Sequence, residues 1–200
     1  MEEVRVIERR EVFSGRVVRL VVERIVLPNG RVADIEIVRH SGAVAVVALD
    51  ARDDVILVRQ YRHATGDWLL EVPAGKLDPG EDPLDCVARE LEEETGFRPG
   101  RIESLGAIGP TPGFSDEKIW LYLATELEVG RQRLEEDEVL TLVRMPWSEA
   151  LAAARDGRIR DGKSICALLR ADGQPTLGHS ERSEESRRRA DRRGRRADDK

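Results

Sequence analysis

One segment, residues 75–97, constrains the fold more than any other part of the chain, because its charged residues and glycines stand at a distinctive spacing. A coincidental run of these identities at this spacing has a probability on the order of 10⁻⁷ per start position, given the glycine, glutamate and arginine content of the chain. A solvated acidic helix is the usual explanation of a charge run, and it does not account for this pattern. The residues that define the segment are Gly75, Glu81, Arg89, Glu90, Glu93, Glu94 and Gly96.

The residues from Asp82 to Thr95 predict an α-helix. Asp82 suits the N-cap and Pro83 suits the first helical position. Gly96 can end the helix in the left-handed conformation. The side of this helix that is expected to face the core carries Leu84, Val87, Ala88 and Leu91.

The opposite side of the predicted helix carries Glu90, Glu93 and Glu94. Residues three and four positions apart share a helix face, so these carboxylates are expected to converge and to repel each other. A hard divalent cation with oxygen ligands would relieve that repulsion. Mg²⁺ keeps several waters and combines a few carboxylates with substrate phosphates, so it fits this arrangement.

The loop before the helix, Ala74–Lys76, is expected to bring the backbone close to a metal ion or a phosphate. Gly75 has no side chain to obstruct that approach. Arg89 stands one position before the carboxylates, and we expect it to pair with Glu81 and hold the loop against the helix.

The rest of the chain predicts a layered arrangement of strands and helices. In residues 1–40 apolar and polar residues alternate with the period of a strand, and Pro28-Asn29-Gly30 interrupts the pattern where a hairpin turn would lie. The further strands predicted are Ala43–Leu49, Val55–Tyr61, Trp68–Val72, Ile102–Ile108, Lys118–Leu127 and Val139–Met145, and the further helices are Trp147–Asp156 and Ser164–Ala171. This order indicates an α+β protein with an α/β/α sandwich, a mixed central sheet and an N-terminal antiparallel β subdomain.

The same patterns divide the chain into residues 1–40 as the β subdomain, residues 41–176 as the main domain and residues 177–200 as a charged tail. From His179 onward no aliphatic side chain is larger than alanine. Such a segment buries too little apolar surface to offset its ordering entropy, so we expect it to be disordered. Its arginine clusters could contact nucleic acid, but a solvated extension is the simpler interpretation.

Composition argues against two classes of function. The net charge of −6 disfavours a general nucleic-acid binder, whose surface would be basic. The longest apolar stretches, such as Ala43–Leu49, fall well short of the roughly 20 residues of a membrane span, and the N-terminus has no signal core. Cys86 and Cys166 lack metal-binding spacing, so we expect them to be small buried hydrophobes in a cytoplasmic protein.

Residues 75–97 match the Nudix box, G-x5-E-x7-R-E-U-x-E-E-x-G-U with U an apolar residue, without a departure. Over roughly residues 15–170 the chain resembles the ADP-ribose pyrophosphatase branch of the Nudix hydrolases. The features that carry this narrower resemblance are Gly42–Leu49, Val58–Arg62, Trp68–Leu77 and Pro112, which stands sixteen residues after Gly96.

The resemblance implies Mg²⁺-dependent attack by water on the pyrophosphate of ADP-ribose, which releases AMP and ribose 5-phosphate, with Mn²⁺ as an alternative ion. It implies that Glu90 and Glu94 are the principal metal ligands and that the Ala74 carbonyl is a further ligand. Glu93 would lie close to the same cluster as a ligand or catalytic group. The residues that would support the box structurally are Glu81, Arg89 and Gly96.

The general base of this branch usually comes from a loop beyond the box. Residues 135–138 form the only acidic cluster downstream in the globular part of the sequence. The resemblance favours Glu138 as the base, with Glu136 as the alternative. An exposed acidic turn before a strand explains any single member of the cluster nearly as well.

Substrate contacts follow from charge and from the resemblance. Arg59 and Arg62 are interpreted as alternating on one strand face, where they could grip the diphosphate. A surface arginine is at least as good an explanation of each, and the resemblance favours Arg62. The remaining candidates for substrate contacts are Glu71, Gly75, Pro112 and Gly113.

The box leaves the substrate open. Another nucleotide sugar, a dinucleotide or an oxidised nucleotide would use the same metal site. A catalytically silent nucleotide-binding module is disfavoured, because such modules usually lose box glutamates and this chain keeps them. The resemblance also implies a homodimer formed through the N-terminal β unit, with residues of the neighbour completing the substrate pocket.

Overall fold

The computed structural model describes residues 3–134, 136 and 138–174. The predicted tail, 177–200, and the last two positions of the predicted main domain lie outside the described residues. The strands are β1 (Arg5–Ser14), β2 (Arg19–Val26), β3 (Val32–Arg39), β4 (Ala43–Leu49), β5 (Asp54–Arg62), β6 (Asp67–Glu71), β7 (Ala74–Lys76), β8 (Phe97–Arg98), β9 (Arg101–Ile108), β10 (Ile119–Thr125), β11 (Glu128–Val129) and β12 (Leu140–Pro146). The helices are α1 (Pro83–Thr95), α2 (Trp147–Asp156) and α3 (Gly162–Ala171).

The first three strands form a separate antiparallel sheet in the order β1-β2-β3, as the alternating pattern predicts. The turn between β2 and β3 contains Gly30 at a φ of 77°, a left-handed conformation that glycine adopts without strain. This sheet joins the rest of the molecule at the end of β3. There Val38 forms a β-bridge with Ser115, and Arg39 donates to Asp116 at 2.8 Å.

The main sheet is mixed, which confirms the predicted fold class. Its order is β12-β5-β4-β10-β9, with β6 paired to β5 and β7 paired to β4. Strands β4 and β10 run parallel, whereas the other pairs are antiparallel. Every residue of β4 is buried, since helices cover both faces of the sheet, and its sequence is therefore apolar throughout.

Helix α1 covers one face of the main sheet and helices α2 and α3 cover the other. Val87 and Leu91 of α1 pack with Val44, Val46 and Ile56. The alternate residues of the same strands pack against α2 and α3 in a second cluster that includes Ala45, Val47, Leu57, Ala150 and Leu168. The predicted α/β/α sandwich is confirmed by these two packed layers.

The structure differs from the sequence prediction in three local features. Ala74–Lys76 was predicted as a loop and instead forms β7, because its backbone pairs with β4 from Ala43 to Ala45. The short pair of β8 and β11 was not predicted. Leu84 was predicted to face the core but is 48% exposed, since it lies in the first turn of α1 and the buried residues of that helix begin at Cys86.

In the described ranges, no helix has both the length and the apolar character that crossing a membrane requires.

Candidate active site

The ends of α1 fix the register of its glutamates. At the start, the Asp82 side chain accepts a hydrogen bond from the Leu84 N–H at 2.8 Å, and Pro83 follows the cap as predicted. At the end, Gly96 adopts a φ of 74° and its N–H donates to the Glu92 carbonyl at 2.8 Å. Both predicted caps are confirmed.

Arg89 and Glu81 form the predicted pair. The Arg89 Nε donates to Glu81 Oε1 at 2.8 Å, and a terminal nitrogen donates to Oε2 at 2.9 Å. The same guanidinium reaches the Lys76 carbonyl at 3.3 Å, so it ties the segment after β7 to the helix. The hydrogen bond from Arg89 lowers the pKa of Glu81 to about 2.

This pair predicts a pH-dependent contribution to stability. Because the pKa of Glu81 is lower in the folded chain than its ordinary 4.5, the stabilisation is present above that value and is lost as the pH falls toward 2. Between pH 5 and pH 3, the free energy of unfolding should fall by about 1–2 kcal/mol more in the wild type than in Glu81→Gln. Urea denaturation at both pH values measures this difference.

A matched control is Glu149→Gln, which breaks an exposed pair with Arg158. Both side chains of that pair are 50% exposed, so its loss should leave the pH dependence of unfolding unchanged. Equal pH dependence in the wild type and in Glu81→Gln would contradict the role of the Glu81–Arg89 pair.

A cavity of about 570 Å³ opens beside the first residues of β7 and the middle of α1. Its wall carries carboxylates and cations together rather than one sign of charge. The charged and amide side chains that line it are Arg16, Gln60, Arg62, Lys76, Asp78, Arg89, Glu90, Glu94, Glu117, Glu138 and Lys163.

The Glu90 carboxylate lies directly against the backbone of Gly75. A Cβ built at Gly75 would lie 1.9 Å from the carboxylate carbon of Glu90. A side chain at this position would therefore displace the carboxylate, whereas glycine leaves it beside the backbone. The predicted approach of this backbone to a metal ion or a phosphate stays a prediction.

Glu94 is the most deeply buried carboxylate of the helix, at 3% exposure. One of its oxygens accepts the Ala74 N–H at 3.1 Å. Burial, together with the neighbouring charges of Glu90 and Glu138, raises the pKa of Glu94 to about 8. Burial likewise raises the pKa of Glu90, which is half-buried, to about 6. Two carboxylates that repel each other in such a place fit a divalent cation, which would neutralise both with oxygen ligands.

Glu93 does not join the other two carboxylates at the cavity. Its side chain accepts from Arg89 at 3.0 Å and lies 3.9 Å from Arg133, and it is not among the residues that line the cavity. Of the three carboxylates that were expected to converge, only Glu90 and Glu94 therefore face the cavity. Glu93 stays close to Glu90, because the Arg89 nitrogen that donates to Glu93 also donates to Glu90 at 2.9 Å. Across the described part of the chain, no three acidic, histidine or cysteine side chains are close enough together to hold a metal ion.

The segment before β12 carries Glu138 to the cavity. It is anchored to the end of α1, where the Gln132 side chain donates to the Glu94 carbonyl at 2.7 Å and the Arg133 N–H donates to the Glu93 carbonyl at 2.8 Å. On the far side β12 begins at Leu140. Glu138 is half-buried and lines the cavity.

The rest of the predicted acidic cluster is placed differently from Glu138. Glu136 is exposed and does not line the cavity, and positions 135 and 137 lie outside the described residues. Of the two candidates for the base, only Glu138 therefore stands at the cavity.

Arg59 and Arg62 lie on opposite faces of β5, so the interpretation that they share a face is wrong. Their separation is three residues, and side chains alternate along a strand. Arg62 lies on the side of Gln60, lines the cavity and makes two hydrogen bonds to Glu71, at 2.8 and 2.7 Å. Arg59 is exposed and stacks 4.9 Å from the centre of the Trp68 ring.

Pro112 and Gly113 lie in an exposed turn between β9 and β10 and are not among the residues that line the cavity. The turn is joined to β3, since the Val38 N–H donates to the Phe114 carbonyl at 2.7 Å. Within a single copy of the chain, this turn therefore does not reach the cavity.

Comparison with known proteins identifies the family of the chain around residues 75–97. The family model described as the NUDIX domain matches residues 39–168. The chain belongs to the NUDIX family. Nudix hydrolases generally depend on a divalent metal, in keeping with the carboxylates of this cavity.

Relatives that match between 66% and 88% of the chain have names that describe a particular activity. A methanol dehydrogenase activator from Bacillus methanolicus is 42% identical, over 88% of this chain and 97% of that protein. An ADP-ribose pyrophosphatase from Bacillus subtilis is 38% identical, over 83% and 91%. A GDP-mannose pyrophosphatase from Pectobacterium atrosepticum is 37% identical, over 66% and 73%. These matches support the predicted Nudix pyrophosphohydrolase.

A solved structure described as an ADP compounds hydrolase has the same fold. It superposes with a TM-score of 0.75, over 86% of this chain and 94% of that chain, at 24% sequence identity. This agreement supports the Nudix sandwich with its additional antiparallel sheet.

Sequence reasoning missed several residues of this Nudix cavity. Lys163 was left just outside a helix predicted to begin at Ser164, whereas α3 begins at Gly162 and is capped by Asp161. Aspartate is a preferred N-cap residue, so Asp161 could have corrected the boundary. Gln60 lies within Val58–Arg62 but was not singled out. No motif marked His40, Glu117 or Arg16, and only the fold brings them to the cavity.

Proposed function

We propose that the protein hydrolyses the pyrophosphate linkage of ADP-ribose to AMP and ribose 5-phosphate in the presence of Mg²⁺. The observation that carries the proposal is the pair of carboxylates, the buried Glu94 and the half-buried Glu90, in a cavity that cations also line. A divalent metal would balance the charge of these carboxylates and of an anionic diphosphate beside them. The pyrophosphatases among the relatives support this choice of substrate class.

We assign Mg²⁺ to Glu90, Glu94 and the carbonyl of Ala74, with Mn²⁺ as a substitute. The space left by Gly75 and the raised pKa values of both carboxylates support this assignment. When bound, the ion would neutralise charge that develops on the phosphate oxygens and make a bound water easier to deprotonate. Glu93 stays a predicted member of the cluster, and Glu81, Arg89 and Gly96 hold the box in shape.

Glu138 is proposed as the general base. It would accept a proton from water as the water oxygen forms a bond to a diphosphate phosphorus, and the bridging oxygen leaves with the other phosphate. Its position at the cavity, in electrostatic contact with Glu90 and Glu94, supports this role.

Glu138→Gln should lower kcat by about 10²–10⁴, the usual contribution of a general base. Glu136→Gln is the matched control, because Glu136 is exposed two residues away and does not line the cavity. Steady-state rates of AMP release at saturating substrate measure both. A larger loss of kcat in Glu136→Gln than in Glu138→Gln would transfer the role to Glu136.

Arg62 is proposed to bind the diphosphate. Two of its N–H groups are used by Glu71, and a guanidinium carries further donors that can reach an anion in the cavity. Glu71 thus orients Arg62, and Gly75 contributes backbone. Arg59, Pro112 and Gly113 stay predicted contacts.

A homodimer formed through the sheet of β1, β2 and β3 is proposed as the functional assembly. Exposed apolar side chains are concentrated in this part of the chain: Val4, Val6, Ile7, Val12, Phe13, Val17, Val18 and Val32. Such a concentration is typical of a protein–protein interface.

Phe13→Asp should convert the dimer to a monomer, since Phe13 is 57% exposed in the isolated chain and a charge would be buried in the interface. Light scattering on the wild type and the variant measures the mass of each. A wild type that is monomeric at micromolar concentration would contradict the dimer.

A panel of candidate substrates tests the choice of ADP-ribose most directly. The kcat/KM with Mg²⁺ is measured for ADP-ribose, GDP-mannose, other nucleotide sugars, a dinucleotide and an oxidised nucleotide. We expect ADP-ribose to be preferred, and a higher kcat/KM for another member would replace it. Tight nucleotide binding with no turnover in Mg²⁺ or Mn²⁺ would instead indicate a silent binding module.

A second candidate function is regulation of a dehydrogenase. It is favoured by the 42% identity to a methanol dehydrogenase activator, which exceeds the identity to the ADP-ribose pyrophosphatase. Adding the protein to a methanol dehydrogenase and following alcohol oxidation tests it. If the wild type activates the dehydrogenase and Glu94→Gln does not, the activation depends on hydrolysis. If the wild type leaves the rate of alcohol oxidation unchanged, regulation of that dehydrogenase is excluded.

A further inference from the structure

A buried carboxylate at the edge of the cavity holds two cations that come from different parts of the fold. Glu71, at the end of β6, is 1% exposed. It accepts the two hydrogen bonds from Arg62 of β5 and one from the ammonium of Lys163 of α3. Burial raises the pKa of Glu71, but the hydrogen bonds and charges of these two cations outweigh it, so the pKa is lowered and the carboxylate is charged.

Lys163 is also fixed from the side of its own helix. Its ammonium lies 3.0 Å from Asp161, the N-cap of α3. The next residue, Ser164, donates its hydroxyl hydrogen to Asp161 and accepts the N–H of Val72 at 2.8 Å. Contacts at two adjacent residues therefore pin the first turn of α3 to the end of β6, and the position of the Lys163 ammonium follows from the fold.

The cluster of Glu71, Arg62, Lys163 and Asp161 costs more to bury than an apolar packing of similar size would. Stability therefore does not explain it. Lys163 keeps only 14% of its side chain exposed, yet it lines the cavity together with Arg62 and Glu94. Its charge offsets part of the rise in the pKa of Glu94. The ammonium is thus held in the wall of the same cavity as the proposed metal ligand.

We propose that Lys163 is a substrate-binding residue that contacts the diphosphate, so that the C-terminal helix takes part in substrate binding. An ammonium carries one more N–H donor than its contacts with Glu71 and Asp161 use. Lysine binds phosphate as a point charge, and a diphosphate that reaches a metal at Glu94 would come within range of it. The inference rests on the proposed function, because it takes a nucleoside diphosphate derivative as the ligand.

The test compares Lys163→Met, which keeps the aliphatic stem and removes the charge, with Lys163→Arg, which keeps the charge. With ADP-ribose and saturating Mg²⁺, Lys163→Met should raise KM about tenfold or more while kcat changes by less than about threefold. Lys163→Arg should recover most of the affinity. Thermal melting of each variant identifies one that fails to fold.

The matched control is Arg160→Gln, three residues away. Arg160 is exposed, pairs with Asp67 and does not line the cavity, so KM should be unchanged. An unchanged KM in Lys163→Met, or a fall in kcat and melting temperature without a change in KM, would overturn the proposal and leave Lys163 with a structural role.

A binding measurement separates this inference from the choice of substrate. Inorganic pyrophosphate with Mg²⁺ is titrated by calorimetry into the wild type, Lys163→Met and Arg160→Gln. Affinity reduced about tenfold in Lys163→Met alone supports the contact even if ADP-ribose is not hydrolysed. Equal affinity in all three proteins would overturn the contact even if ADP-ribose is hydrolysed.

Discussion

Replacing Glu94 by glutamine is expected to lower kcat for ADP-ribose by about three orders of magnitude while the chain stays folded. Glutamine has the same shape and can still accept the Ala74 N–H, which Glu94 accepts at 3.1 Å. What it removes is the negative charge of a carboxylate that is 3% exposed and lies beside Glu90. The loss should therefore fall on metal binding and turnover rather than on folding.

The control for this substitution is Glu92→Gln on the same helix. Glu92 pairs with Arg98 at 2.8 Å and is not among the residues that line the cavity. Its loss should change stability little and leave kcat unchanged. Coupled assays of AMP release at several Mg²⁺ concentrations measure both variants. Undiminished turnover in Glu94→Gln would remove Glu94 from the metal site.

Gly75→Ala is expected to reduce kcat/KM by a factor of about 100 or more. The added methyl group would stand 1.9 Å from the carboxylate carbon of Glu90, so either that carboxylate or the backbone of β7 must move. A displacement of about 1 Å at a catalytic group typically costs about this factor. Calorimetric titration with Mn²⁺ should show weaker metal binding in the same variant.

Gly173→Ala is the comparison for this glycine substitution. A Cβ at Gly173 would meet its nearest atom at 3.6 Å, an ordinary contact, and Gly173 does not line the cavity. Its kinetics should match the wild type. If Gly75→Ala kept full activity and metal affinity, the close approach between β7 and Glu90 would have no role in the site.

The part of the site that could be predicted from sequence is the part whose geometry is local. Helix α1 is set by its own caps, Asp82 and Gly96, and Glu81 and Arg89 pair over a sequence separation of only eight residues. The strands predicted between Ala43 and Met145 match the structure to within one or two residues at their ends, since alternation and turn residues mark them. The short strands β7 and β8, which flank α1, were not predicted.

Prediction failed where a side chain had competing neighbours. Helical spacing alone groups Glu93 with Glu90 and Glu94, but spacing does not show which carboxylates will line a cavity, and Glu93 does not line this one. The placement of Arg59 beside Arg62 was a simple error of strand period, and the structure puts Arg59 on Trp68 instead.

The cluster in which Glu71 binds Arg62 and Lys163 could not be predicted from the sequence. Glu71 and Lys163 stand 92 residues apart, and their contact depends on how α3 returns to the end of β6. A lysine before a predicted helix is in most proteins a solvated residue. Only the packed fold distinguishes this one, because it buries the carboxylate that Lys163 neutralises.

Hydrolysis of ADP-ribose in ¹⁸O-labelled water, with and without Mg²⁺, examines the proposed reaction as a whole. We predict AMP and ribose 5-phosphate as products, one ¹⁸O atom per turnover in one of the two phosphates, no products when EDTA removes the metal, and product formation slowed by about three orders of magnitude when Glu94 is replaced by glutamine. Absence of these products from the folded wild-type protein in both Mg²⁺ and Mn²⁺ would contradict the proposed reaction.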